Sequence, residues 1–319
     1  MRKLKMERLN SNCRDERDMK LKFETKITKA QPDPFMCETK DGWAMYVTGA
    51  EGIGAYAAKS PFETWEYKGL ILQIEGCEEY WAPCMICIDD WYYLYFSCSN
   101  DRMFEHLHVA KSKNPFGPFE DVKRLYPYFS IDPHVVQTKD GLFLWYCMNN
   151  MQCERVGTRV YVEKMIDPYT PDGHPVEVVS PTFDEEIFMR NRFEKGEDWH
   201  TLEGPFWVEH DGYQYVMYSG ACYQNDTYHI GYASAKTDKQ DLTKINFVKH
   251  TDNGEFAPLM TKNEFEEGVG HHSVIQYNGE FYAVYHGRDR DEHDDAIGDR
   301  RTARICKLQI KDGVITAER

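Results

Sequence analysis

Apolar and polar positions alternate with a period of two along most of this chain, in short runs rich in aromatic and β-branched residues, and apolar stripes at helical spacing are nearly absent. Asp-Gly and Asn-Gly pairs punctuate the runs, as tight turns between paired strands require. The pattern predicts an all-β protein. It also repeats. Starting at Asp33, "DPFMCETKDGWAMYV" supplies an anchor residue, a Pro, a short strand, a turn and a second strand carrying an aromatic ladder. The same layout returns at Trp81 ("WAPCMICIDDWYYLYFS"), Asp132 ("DPHVVQTKDGLFLWYC"), Glu203 ("EGPFWVEHDGYQYVMYS") and His271 ("HHSVIQYNGEFYAVYHG"). Anchor and turn residue are eight apart in the first four units (Asp41, Asp89, Asp140, Asp211) and seven apart in the fifth (Asn278).

After each hairpin comes a strand of small and apolar residues, such as "GIGAYAAKS", "HLHVAKSK", "TRVYVEK", "HIGYASAK" or "TARICKLQI", and in places a fourth, such as "TWEYKGLIL" or "INFVKH". Four antiparallel strands per unit, five units and a spacing of about 60 residues predict a five-bladed β-propeller. A sandwich would give no reason for five equivalent anchors. The expected organisation is a single catalytic domain over residues 28–319, with residues 1–27 as an N-terminal extension packing on it.

Composition narrows the partners. Lys and Arg number 38 against 53 Asp and Glu, and the resulting charge of −15 repels phosphate backbones and anionic lipid, so neither nucleic acid nor a membrane is expected. No apolar run approaches the roughly 18 to 20 residues that span a bilayer. The charged start "MRKLKMERLNSNCRDERDMK" lacks the apolar core of a secretory signal, and a cytoplasmic protein is expected. The ten cysteines fall largely inside alternating apolar runs and read as reduced thiols, "CMIC" at Cys84 to Cys87 included.

In a propeller the first strand of each blade lines the central channel, so the five anchors converge at one mouth although they are far apart in the chain. Three of them, Asp33, Asp132 and Glu203, are carboxylates. Two carboxylates facing one cleft are the machinery of glycoside hydrolysis, one donating a proton to the leaving oxygen and the other activating water or attacking directly. A third, by like-charge repulsion, keeps the acid protonated at neutral pH. Any one of these residues alone would read as a turn acid at a strand start.

In this order and register, "QPDPFM", "EYWAPCM", "SIDPHVV", "TLEGPFW" and "GVGHHSV" resemble glycoside hydrolase family 43, the five-bladed group of arabinofuranosidases, β-xylosidases and endo-arabinanases, from Asp33 to the C-terminus. The resemblance implies an inverting hydrolase with Asp33 as general base, Glu203 as general acid and Asp132 tuning and orienting Glu203. Inversion calls for base and acid carboxyls roughly 6.5 to 9.5 Å apart. It further implies that His271 stands where many relatives hold a calcium ion or its water, although calcium prefers oxygen ligands and a lone inward histidine is more often a core residue. His272 is expected to point the opposite way.

A pentose ring needs an apolar platform and polar groups for its hydroxyls. Trp81 is the candidate platform. Phe35 is carried as a second substrate-side candidate, although it and Phe206 also read as packing residues just beyond the catalytic anchors. "YHGRDRDEHDDAIGDRRTARICKL" looks like the family segment that brings an arginine to the sugar and acids, with Arg301 in that place and Arg288 behind it, and the acidic run between them reads as a solvated loop. Tyr223 and Asn225 follow the fourth hairpin and are expected at the same mouth. The insertion "MRNRFEKGEDWHTLEGP", with Trp199 and His200, is expected to wall the pocket. The expected substrate is a pentose-containing oligosaccharide, cut by removal of terminal α-L-arabinofuranosyl units. A β-xylosidase or endo-arabinanase is the alternative, and a sugar-binding propeller without turnover is the reading from another class. Sialidase turns and the invertase-like Arg-Asp-Pro and Glu-Cys pairs are absent from the sequence.

Overall fold

A strand that is apolar on both faces needs a neighbour on each side, and the architecture supplies one. The computed structural model describes residues 19–24, 30–100, 103–290 and 300–319. Each repeat folds as an antiparallel four-stranded meander paired in chain order. Unit one comprises Phe35–Thr39, Gly42–Val47, Ile53–Ala58 and Glu66–Leu72, and unit two Glu78–Ile88, Trp91–Ser99, Glu105–Ser112 and Glu120–Arg124. Unit three is built from Ile131–Thr138, Gly141–Asn150, Gly157–Asp167 and Val176–Val179, unit four from Trp199–His210, Tyr213–Gly220, His229–Lys236 and Val248–Lys249, and unit five from Glu266–Tyr277, Glu280–Asp289, Thr302–Lys311 and Val314–Glu318. Units three and four are joined in one sheet where Gly157 and Thr158 pair in parallel with His200 and Thr201.

The hairpins follow from turn chemistry. Asp89-Asp90, Asp211-Gly212 and Asn278-Gly279 all have positive φ at both positions, the twist that matches paired right-handed strands.

Period-two alternation here separates left neighbour from right neighbour rather than core from solvent. On the second strand of unit one, Ala44 and Tyr46 pack with Met85 and Leu94 of unit two, while Trp43, Met45 and Val47 pack with Ile275 and Val284 of unit five. On that of unit three, Leu144 and Tyr146 meet Tyr95 and Val109 of unit two, and Phe143 and Trp145 meet Val216 and Tyr218 of unit four. Tyr215 and Met217 complete the series against Tyr285 and Leu308 of unit five. Five apolar clusters thus fill five seams.

Hydrogen bonds near the axis close the same circuit. The Ala82 amide donates to Thr48 Oγ1 (2.8 Å), Val135 to Cys84 Sγ (3.4 Å), Gly204 to Asp132 Oδ2 (2.9 Å), His271 to Ser219 Oγ (2.7 Å) and Met36 to Ser273 Oγ (3.0 Å). The fold is an all-β, five-bladed β-propeller. Residues 19–24 run along the seam between units five and one: Leu21 N–H donates to Ala303 O (3.2 Å), and Trp65 N–H to Lys22 O (2.7 Å). Most of the 1–27 extension and the acidic run between Arg288 and Arg301 lie outside the described residues.

The repeat register is stricter than the sequence pattern. Asp33, Ala82, Asp132, Gly204 and His271 all take left-handed φ, between 41° and 60°. Each stands seven residues before the first residue of its hairpin turn, at Lys40, Asp89, Lys139, Asp211 and Asn278. Trp81 and Glu203, expected as anchors equivalent to Asp33, therefore lie one residue ahead of the equivalent position. Matching on the acid hid this, because the backbone repeats at the residue before Pro34, Pro83, Pro133 and Pro205. A left-handed non-glycine residue is strained by about 1 kcal/mol or more, and such strain gathers at functional sites.

Candidate active site

The left-handed residue in or just before the first strand of each unit stands at the channel mouth, where a cavity of about 990 Å³ opens. Asp33, Asp132 and Glu203 all line it, with Trp81, Tyr223, Asn225, His271, Arg288 and Arg301. Residues from units one to five thus meet in one space.

Asp33 is held by one guanidinium, a hydroxyl donor and two imidazoles. Thr48 Oγ1 donates to its Oδ2 (2.5 Å), and its Oδ1 faces Arg301 Nη1 at 3.2 Å, His286 Nδ1 at 3.2 Å and His271 Nδ1 at 3.5 Å. Burial pushes this carboxyl upward, but His271, Arg301 and His286 outweigh burial and hold it far below the usual carboxylate range. Asp33 is therefore ionised at neutral pH. Burial keeps His286 itself uncharged, pushed down to about 4. The Asp33 amide donates to His286 Nδ1 at 3.1 Å, so in the uncharged ring Nδ1 is the acceptor and the proton sits on Nε2, which has no partner among the described residues.

Glu203 sits in the opposite regime. Burial and the charge of Asp33 push it up to about 7, against the opposing pulls of the Tyr228 hydroxyl and Arg301. Tyr228 donates to Glu203 Oε1 at 2.5 Å. Asp132 is also raised, by burial first and then by Glu203 and Asp33, and the Gly204 amide only partly offsets this. Two neighbouring carboxyls that both resist ionisation hold a proton between them at neutral pH. The cavity therefore combines an ionised carboxylate with a protonated carboxyl.

His271 Nδ1 lies 3.5 Å from Asp33 Oδ1 and 3.9 Å from Asp132 Oδ2, and its ring rests against Gly204, where an added Cβ would stand 3.2 Å from Cγ. A calcium site needs six to eight oxygen ligands at 2.3–2.6 Å. Among the described residues no group of three or more His, Cys, Asp or Glu side chains is placed to hold a metal ion, and His271 would reach a calcium ion only weakly or through water. His272 is buried beneath the mouth, its ring centroid 6.1 Å from that of Phe206.

Two arginines of unit five organise the loop of unit four. Arg301 touches Asp33 and places its guanidinium carbon 4.5 Å from the centre of the Tyr223 ring. Arg288 donates to the Tyr223 and Gln224 carbonyls at 2.8 and 3.0 Å. Trp81 faces the cavity with its indole N–H on Glu79 Oε2 (3.2 Å), which fixes the ring plane.

The structure places two expected residue groups elsewhere. Phe35 does not line this cavity: its ring packs below the mouth, 6.2 Å from Phe206 and 6.5 Å from His134. It comes two residues after the left-handed Asp33, on the strand that descends from the mouth. The insertion before Glu203 does not wall the pocket. Trp199 packs on Phe193 at 5.9 Å, and His200 Nε2 lies 3.0 Å from Arg155 Nη1, in the connection between units three and four.

Thr48, Tyr228, His286 and Glu79 were not singled out from sequence. A signal existed for two of them. Six residues after the start of each second strand stand Thr48, Ser97, Cys147, Ser219 and His286, a polar or thiol side chain each time. Strand two meets the axis at that position, so Thr48 and His286 reach Asp33 and Ser219 reaches the His271 amide. Tyr228 carries no such pattern.

An extracellular exo-α-(1→5)-L-arabinofuranosidase of Streptomyces avermitilis is 26% identical over 247 residues, which is 72% of this chain and 47% of that one. The match thus spans about half of that relative's length. The crystal structure of a thermostable family-43 glycoside hydrolase superposes with a TM-score of 0.76 at 28% identity, covering 91% of this chain and 93% of the other. An α-L-arabinofuranosidase from Lactobacillus brevis shares the fold with a TM-score of 0.73 at 19% identity, covering 90% and 93%. With the family model matching residues 26–315, a span that contains all three carboxyls, the chain belongs to glycosyl hydrolases family 43.

Proposed function

We propose that this glycosidase is an inverting, exo-acting enzyme that removes terminal α-L-arabinofuranosyl units from arabino- or arabinoxylo-oligosaccharides. The observation that carries this reading is the split between Asp33, held ionised by Arg301 and its histidines, and Glu203, held protonated to about pH 7 beside Asp132. Glu203 gives its proton to the glycosidic oxygen as the bond from C1 to that oxygen breaks. Water attacks C1 from the opposite face and loses a proton to Asp33, leaving the sugar with inverted configuration. Asp132 stays outside the bond changes and sets the proton affinity of Glu203. Trp81 offers the ring platform, and Arg301, stacked on Tyr223, bonds sugar hydroxyls next to the base. Arabinose is favoured because the Streptomyces avermitilis relative is described as an exo-acting arabinofuranosidase.

The test compares nitrophenyl α-L-arabinofuranoside with nitrophenyl β-D-xyloside and follows the first-formed sugar by proton NMR. Faster release from the arabinofuranoside, with the β-anomer appearing first, is expected. Preference for the xyloside replaces the reading with β-xylosidase, and a first-formed α-anomer removes inversion. Asp33→Ala should abolish turnover on any leaving group, whereas the loss in Glu203→Gln should shrink as the leaving group becomes more acidic.

A further inference from the structure

Behind the carboxyls two buried rings face each other. Tyr228 and His286 lie 5.7 Å apart, at 7° to one another. Each touches a different carboxyl: the Tyr228 hydroxyl donates to Glu203 Oε1 at 2.5 Å, and His286 Nδ1 lies 3.2 Å from Asp33 Oδ1. One stack therefore supports both halves of the site.

The seat for Tyr228 is built into unit five. A Cβ on Gly270 would stand 1.9 Å from Tyr228 Cε1, so the glycine leaves the space that the phenol fills. Two residues earlier, a Cβ on Gly268 would stand 2.6 Å from Arg288 Nη2. The "GVG" that precedes His271 is thus explained as room for two side chains, one touching Glu203 and one holding the Tyr223 loop. Tyr228 has no exposed surface. Burial and the neighbouring Glu203 push its phenol well above the ordinary range, so it remains a donor.

We propose that Tyr228 is a positioning residue for proton donation: by occupying Glu203 Oε1 as a donor, it places the acidic proton on Oε2, the oxygen left to meet the glycosidic oxygen. This rests on the general-acid role of Glu203 given above. The same hydrogen bond strengthens as Glu203 becomes a carboxylate, so it favours the transition state over the ground state. Its loss raises the affinity of Glu203 for its proton and leaves that proton free to sit on either oxygen.

The experiment measures Tyr228→Phe and Glu203→Gln on two aryl arabinofuranosides, one with a nitrophenol and one with an unsubstituted phenol as leaving group, across pH 5 to 9. For Tyr228→Phe we expect kcat on the phenyl substrate to fall about tenfold, with little change on the nitrophenyl substrate and KM within about twofold on both. The basic limb of kcat/KM should move to higher pH. A purely structural phenol would lower both substrates alike and leave the limb in place. That result, or a variant indistinguishable from the parent, overturns the proposal alone. Should the loss in Glu203→Gln be the same for both leaving groups, the general-acid role fails, and the proposal falls with it.

Discussion

The Gly204 amide donates a 2.9 Å hydrogen bond to Asp132 Oδ2, so the carboxyl beside Glu203 is anchored by the peptide that immediately follows Glu203. Replacing Asp132 by Asn keeps an acceptor for that amide but removes one member of the proton-sharing pair. Glu203 then loses its proton more readily, and the basic limb of kcat/KM should shift to lower pH with a fall in kcat of about a hundredfold. A limb that stays in place would show that Asp132 acts only by orientation.

In the parent enzyme the two limbs are set by different groups. Glu203, the proposed acid, is pushed up to about 7 chiefly by burial, so kcat/KM should decline above about pH 7. Asp33, the proposed base, is held far below the usual range, so no acid limb from this group is expected between pH 4 and 7. A pH profile with a limb near 4 attributable to the base would contradict this assignment.

Arg301 joins the two walls of the pocket through Asp33 (3.2 Å) and the Tyr223 ring (4.5 Å). Arg301→Gln removes a cation from the base and a lid from the tyrosine. Asp33 should become easier to protonate, bringing an acid limb upward into the measurable range, while KM rises because the Tyr223 loop loses one of its two clamps. Relative to the parent, activity should therefore fall further at pH 4 to 5 than at pH 7.

A raised carboxyl is also a stability cost. Glu203 has a folded value of about 7 against an ordinary 4.5, so the stability linked to its proton is complete below the unfolded value and is lost as pH rises through about 7. Glu203→Gln, which can still accept from Tyr228, should melt close to the parent at pH 4 and a few degrees higher at pH 8. About 1 to 2 kcal/mol is expected, discounted because the carboxyl faces the open cavity. Differential scanning calorimetry at the two pH values decides it, and an equal shift at both would remove the linkage.

Much of this protein is written in its sequence because a propeller is local: each blade is a meander of consecutive strands, its turns are marked by Asp, Asn and Gly, and its repetition exposes Asp33, Asp132 and Glu203 as acids near the first strand of their units. Alternation by itself reports burial, not which neighbour does the burying. Only the closed ring shows that Tyr46 faces unit two while Met45 faces unit five. The ring also decided the one-residue offset of Trp81 and Glu203, since the backbone repeats at the left-handed residue rather than at the acid. Phe35 turned out to lie below the mouth for a related reason: a strand descending from the channel opening carries its side chains away from the opening within two residues. The contacts that set the chemistry, Thr48 and His286 on Asp33 and Tyr228 on Glu203, join residues 15, 253 and 25 apart in the chain. The repeat marks Thr48 and His286 as axis positions but does not say which carboxyl they reach, and it gives no sign of Tyr228, because proton affinity depends on what the whole fold packs around a carboxyl.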